Sequence, residues 1–167
     1  MSDDDQKSDS KPKVDDNSES KLHGFSLEVS KIIEAKFDIN LMNKIIDTIE
    51  EKVQNNEFLY EKNKCYQKKP EDATSFGLWL KSGQVPLKFI NCLLKERGKE
   101  ELLIYDETYN TMHMWNFIDN TNRFINEAKR TFKLKSSDCY EYGNYTNNQL
   151  YLLNTLKCLI DSTDNKQ

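Results

Sequence analysis

The sequence predicts an all-α fold of about four long and two or three short helices, and three observations point to it. Apolar residues recur at three- and four-residue steps through most of the chain, the spacing that puts them on one helix face. The runs are punctuated by residues that start helices (Ser26, Asp38, Asp72, Pro86) and residues that stop them (Gly83, Gly98). No apolar/polar alternation of strand type competes, and no internal repeat is visible.

The elements follow in order. Residues 1–20 are Asp, Ser and Lys with almost nothing apolar, too little burial to repay the entropy of ordering, so an acidic disordered tail is expected there. Residues 21–161 form the expected domain. In "SLEVSKIIEAKF", Leu27, Val29, Ile32, Ile33 and Phe37 fall near one face, with Ser26 as N-cap. Asp38 then caps a second helix carrying Met42, Ile45, Ile46, Ile49 and Val53 inward. Residues 54–71 show no clean period and read as an unusually long loop.

Asp72 offers a cap for "ATSFGLWLK", which Ser82 and Gly83 end, because glycine supplies the positive φ common at helix C-termini. Pro86 is harmless only in a first turn, so the next helix starts near Val85 and runs to Arg97, with Gly98 as its stop. A helix from Met112 to about Arg130 turns Trp115, Ile118, Phe124, Ile125 and Ala128 inward. "SSDCYEY" gives one short turn. A last helix begins after Thr146 or Asn147 and carries Leu152, Leu153, Leu156 and Leu159, with 162–167 as a polar tail.

The same residues limit the function. The least charged apolar window, Val85 to Leu94, already contains Lys88 and Asn91, far short of the ~18 to 20 apolar residues that span a bilayer. The N-terminal stretch lacks the apolar centre of a secretory signal and is acidic, so a cytoplasmic address is expected and Asn144-Tyr145-Thr146 is not read as a glycosylation acceptor. Cys65, Cys92, Cys139 and Cys158 are widely spaced with no histidine beside them, which disfavours a metal site; Cys92 and Cys158 read as small core residues. His23 and His113 have no catalytic context, and no phosphate-binding, dinucleotide-binding or nucleophile-elbow motif occurs, so neither an enzyme nor a cofactor is expected. With a net charge of -4, much of it in the tail, nucleic acid is not the expected partner either.

The folded part does carry local basic groups. Lys81, Lys88, Lys95, Arg97 and Lys99 surround the helix after Gly83, and Lys129, Arg130, Lys133 and Lys135 follow the Met112 helix. Exposed charge of this kind is most simply solubilising. The sharper expectation is a contact surface for an acidic protein, where rim charges speed encounter and fix register.

Laid end to end, these elements resemble a calponin-homology domain of the single-domain type found in calponin and transgelin. The resemblance rests on "HGFSLEVSKIIEAKFD" (23–38), on "FGLWLKSGQVPLKFINCLL" (76–94), which is similar to a Trp-Leu-Lys-Asp-Gly corner followed by a Leu-Ile-Asn-x-Leu helix, and on "WNFIDNTNRFINEAK" (115–129). "SSDCYEYGNY" and "LLNTLKCL" are similar to the family's closing turn and helix, so the likeness covers residues 23 to about 160. It implies a compact helical domain whose core includes Trp79, Leu80, Phe89, Ile90, Leu93, Trp115, Phe124 and Leu156, with Gly83 at the corner and Asn91 hydrogen-bonded to nearby backbone.

Departures from the pattern are Ser82 for Asp, Pro86 for an apolar residue, Thr48 for Trp and Thr121 for Ile. The 54–71 loop is expected to cover the surface the absent Trp leaves, through Phe58, Leu59, Tyr60 or Tyr66. The resemblance implies a non-enzymatic, monomeric protein that binds F-actin or actin-organising proteins. Much of the actin affinity of calponin and transgelin is attributed to short repeats that follow the domain, and none occurs up to Gln167. The alternative is a cytosolic adaptor of the same fold that binds a signalling protein or microtubules.

Overall fold

The computed structural model describes residues 28, 31–32, 35–62, 65–105, 114–141 and 148–165, and it is helical, with no strand among them. Four long helices, α1 (Ile39–Val53), α3 (Gln84–Glu96), α4 (Met114–Phe132) and α5 (Asn148–Asp164), enclose the shorter α2 (Ala73–Leu80). A π-helical turn at Glu57–Glu61 and a 3-10 turn at Ser136–Asp138 complete the order. The expected positions of Leu27, Val29, Ile33 and both histidines, the tail 1–20 and the Asn144 motif lie outside the described residues.

Local chemistry sets the helix ends. The Asp38 carboxylate accepts from the Leu41 N–H at 2.9 Å and starts α1. At α2, Ser75 N–H donates to Asp72 at 2.7 Å while the Asp72 N–H donates to the Ser75 hydroxyl at 3.0 Å, a reciprocal cap. Pro86 stands in the first turn of α3. That helix ends as Lys99 N–H bonds the Leu94 carbonyl at 2.9 Å and Gly98 N–H the Lys95 carbonyl at 3.0 Å, with Gly98 left-handed at φ 66.

The core is continuous. Ile45, Ile46 and Ile49 of α1, Trp79 of α2, Phe89, Ile90 and Leu93 of α3, Phe124 of α4 and Leu156 of α5 are all buried. Each such side chain contributes about 1.5 to 3 kcal/mol by leaving water. α3 packs against α4 and α1, and α5 closes the far side against α2 and α1. The buried Thr155 hydroxyl joins the 3-10 turn to α5: it accepts from Tyr140 N–H at 2.7 Å and lies 3.0 Å from the Asp138 carbonyl.

Several expectations are corrected. Trp115 is not a core residue: it is 74% exposed, because burial along α4 begins only at Asn120 and the first turns run past the elements that cover the rest. Ile32 is 53% exposed, so the face containing Phe37 does not extend back to it. Cys92 and Cys158 are half-buried at the edge of the core, whereas Cys139 is the buried cysteine. α5 continues to Asp164 instead of stopping near 161, and in its last turn the Ser162 and Thr163 hydroxyls donate to the carbonyls of Leu159 and Ile160 at 2.6 and 2.7 Å.

The long loop is more ordered than its composition suggests. Leu59 is fully buried, its carbonyl accepts the Trp79 indole N–H at 2.8 Å, and Tyr60 stacks on the Trp79 ring at 5.9 Å. Tyr60 also donates to Glu50 at 2.5 Å, and Lys69 pairs with Glu50 and Asp47 at 3.0 and 3.2 Å, pinning both ends to α1. The loop therefore covers Trp79. Thr48 instead lines a groove between α1 and α5 with Leu41, Ile45 and Ile160, its hydroxyl turned back to the Lys44 carbonyl at 2.8 Å.

Candidate partner-binding surface

The corner between α2 and α3 fixes where the basic groups project. Gly83 is left-handed at φ 71, and a Cβ on it would lie 2.7 Å from both the Asn120 Cβ and the Thr121 backbone nitrogen. Only glycine lets α4 cross so close. Asn120, fully buried, donates to the Ser82 carbonyl at 3.1 Å and to the Tyr105 carbonyl at 3.1 Å, and accepts from Tyr105 N–H at 2.9 Å. Gln84 reaches the same Tyr105 carbonyl at 3.2 Å.

Residues 101–105 thus form an extended strap held by side-chain amides. Asn91 donates to the Leu102 carbonyl and accepts from Leu102 N–H, both at 2.8 Å, the exchange a neighbouring strand would make. Arg123 adds a bond to the Leu103 carbonyl at 3.3 Å and lies over the Tyr105 ring at 5.0 Å.

Past the strap, the C-terminal ends of α3 and α4 meet. Arg97 stacks on Phe132, 4.2 Å to the ring centroid, and donates to the Thr131 carbonyl at 3.4 Å. Beneath lies Glu127, buried on the inner face of α4. Arg130 holds one of its oxygens with two bonds of 2.6 and 3.2 Å, and the Thr131 hydroxyl takes the other. Burial alone raises the Glu127 carboxyl, but these hydrogen bonds and the charges of Arg130 and Lys99 outweigh it and hold it below its ordinary value.

Of the nine basic residues singled out by sequence, the structure therefore sets Arg130 and Lys99 beside one buried acid, while Arg97 is committed to Thr131 and Phe132. Lys133 follows in a left-handed conformation, φ 61, and with Lys95 and Lys135 it is exposed. Lys129 is half-buried and lines a depression with Tyr140 and Glu141. Lys81 and Lys88 sit in other surroundings: Lys88 lies over the Phe58 ring at 5.5 Å, and Lys81 is exposed at the corner, where its charge acts on Cys65.

Glu127, Asn120 and Arg123 were not picked out by sequence. The signal for Glu127 was present, since it shares the inward face of α4 with Phe124 and Ala128, where an acid demands a partner. The thiols of Cys65, Cys92, Cys139 and Cys158 are all raised above their ordinary value, first by burial, which keeps them protonated and poorly nucleophilic. Among the described residues no three His, Cys, Asp or Glu side chains gather as a metal would require, and no helix is long and apolar enough to cross a membrane. The chain matches no family model, no curated protein and no solved structure.

Proposed function

We propose that this chain is a non-enzymatic binding protein of calponin-homology type that associates with F-actin or with proteins that organise actin, in the cytoplasm and without a cofactor. The observation that carries the reading is the succession of five motif-like stretches in the sequence. The central one, Phe76 to Leu94, is the α2 corner and α3, and Trp115 to Lys129 lies within α4. The bonds from Asn91 to the strap and the glycine-only corner at Gly83 give two of its residues a physical role. The exposed Lys95, Lys99, Arg130, Lys133 and Lys135 at the meeting of α3 and α4 supply a basic rim for an acidic filament.

Co-sedimentation with F-actin across a salt series tests it. Binding is expected at low ionic strength, weakening as salt screens the rim, and weakening further in a Lys133→Glu, Lys135→Glu variant. No sedimentation at the lowest salt sinks the proposal for this chain.

A further inference from the structure

α4 carries a feature that the actin reading does not use. It is flanked by two depressions that share Tyr140. The inner one, about 320 Å3, lies where α2, α4 and α5 meet and is lined chiefly by apolar groups including Leu78, Leu80, Met114 and Leu152. The outer one, about 440 Å3, runs along α4 past Ile118 and Ile125 to Lys129. Trp115 falls on the same helix face as Asn122 and Asn126, two residues of the outer depression.

The surface beside these depressions is apolar. Leu78 and Met114, which line the inner depression, are 38% and 65% exposed, and Trp115, next to Met114 on α4, is 74% exposed, three of the few large apolar side chains on the described surface. Exposed apolar groups gathered at a concave site mark interaction surfaces, Trp and Met being frequent anchors. Lys81 is the sole charged residue described in the inner depression and makes no ion pair among the described residues, whereas in the outer one Glu141 offsets Lys129.

From this we infer that the groove along α4 docks an amphipathic helical segment of a partner protein, which places large apolar side chains in the inner depression and against Trp115 and sets a carboxylate on Lys81. The two depressions share Tyr140 and are both lined by α4, from Met114 and Thr121 in one to Ile118 through Lys129 in the other, so an occupant lying along α4 meets both. The chain's own acidic tail, residues 1–20, is a poor occupant: it has the charge but offers only Met1 and Val14 as apolar side chains.

The test is a selection of random peptides of about four helical turns displayed on phage and panned on the full chain. Enriched peptides should carry large apolar residues at helical spacing with an Asp or Glu, and should shift the emission of Trp115. Their affinity should fall roughly tenfold or more in Trp115→Ala and in Lys81→Glu, both exposed positions that leave the melting temperature in place. If no peptide is enriched, if the selected peptides are basic or lack an acid, or if either variant binds them as tightly as the parent, the inference is wrong. Concentration-dependent self-association abolished by Trp115→Ala also overturns it, in favour of a second copy as occupant. None of these outcomes depends on actin sedimentation, so the two readings fail separately.

Discussion

Asn91 and Leu102 exchange two hydrogen bonds of 2.8 Å, the amide side chain of a helix residue standing in for the backbone of an absent strand. Asn91 is 3% exposed, on the α3 face it shares with the buried Leu87 and Leu94. Replacing it with Leu keeps the branched shape and the number of side-chain heavy atoms but removes both polar groups that hold the strap. Asn91→Leu should lower stability by about 1 to 3 kcal/mol, read as a lower urea midpoint with unchanged slope. An unchanged or higher midpoint would show that the pair holds nothing together.

Two left-handed glycines allow backbone freedom to be separated from space. A Cβ added to Gly98 would have nothing within 4 Å, whereas the same atom on Gly83 meets Asn120 and Thr121 at 2.7 Å. Gly98→Ala should cost about 1 kcal/mol, the conformational term alone. Gly83→Ala should cost roughly 3 kcal/mol or more, because α4 must shift as well. Equal losses in thermal melts of the two variants would contradict the close crossing.

Acid should weaken the fold through two carboxyls. Glu127 is held below its ordinary value by Thr131 and Arg130 against the effect of burial, and Asp72 is held low first by the Ser75 backbone N–H and then by the Ser75 hydroxyl. A depressed carboxyl contributes stability that is complete above its unfolded pKa and is lost as pH falls through the folded one. The melting temperature should thus be flat near neutrality and drop below about pH 4. Asp72→Asn, which still caps a helix, and Glu127→Gln should each flatten that acid limb; limbs as steep as in the parent would rule these groups out as its source.

The two tryptophans report opposite environments. Trp79 is fully buried and Trp115 is 74% exposed. Acrylamide should quench a red-shifted fraction of the emission that Trp115→Phe removes, leaving a protected blue-shifted band. The substitution should change stability by no more than about 0.5 kcal/mol, as for a surface position. A marked fall in melting temperature would restore Trp115 to the core.

What was legible in the sequence was local. Asp38, Asp72, Pro86 and Gly98 act on backbone within a few residues of themselves, so composition and order suffice to place them. The misreadings concern contacts made at a distance. Periodicity puts Trp115 on a face with Ile118 and Ile125, but whether another helix extends far enough to cover that turn is a tertiary fact. The turn at Glu57–Glu61 has no period to detect because it is fixed by Trp79, twenty residues on from Leu59. The basic surface divides in the same way: the proximity of Arg97 to Thr131 follows from how α3 crosses α4, whereas the pairing of Arg130 with Glu127 is a local i,i+3 contact within α4.

The strap has one more consequence. Asn91 and Asn120 grip it through main-chain carbonyls and amides, at Leu102 and Tyr105, while Leu103 between them is 62% exposed to solvent. Such a hold is blind to side-chain identity in the strap and strict about the two asparagines. Inherited change should therefore accumulate freely at Leu103 and be purged at Asn91 and Asn120, so that among descendants of this sequence the grip outlasts the thing it grips.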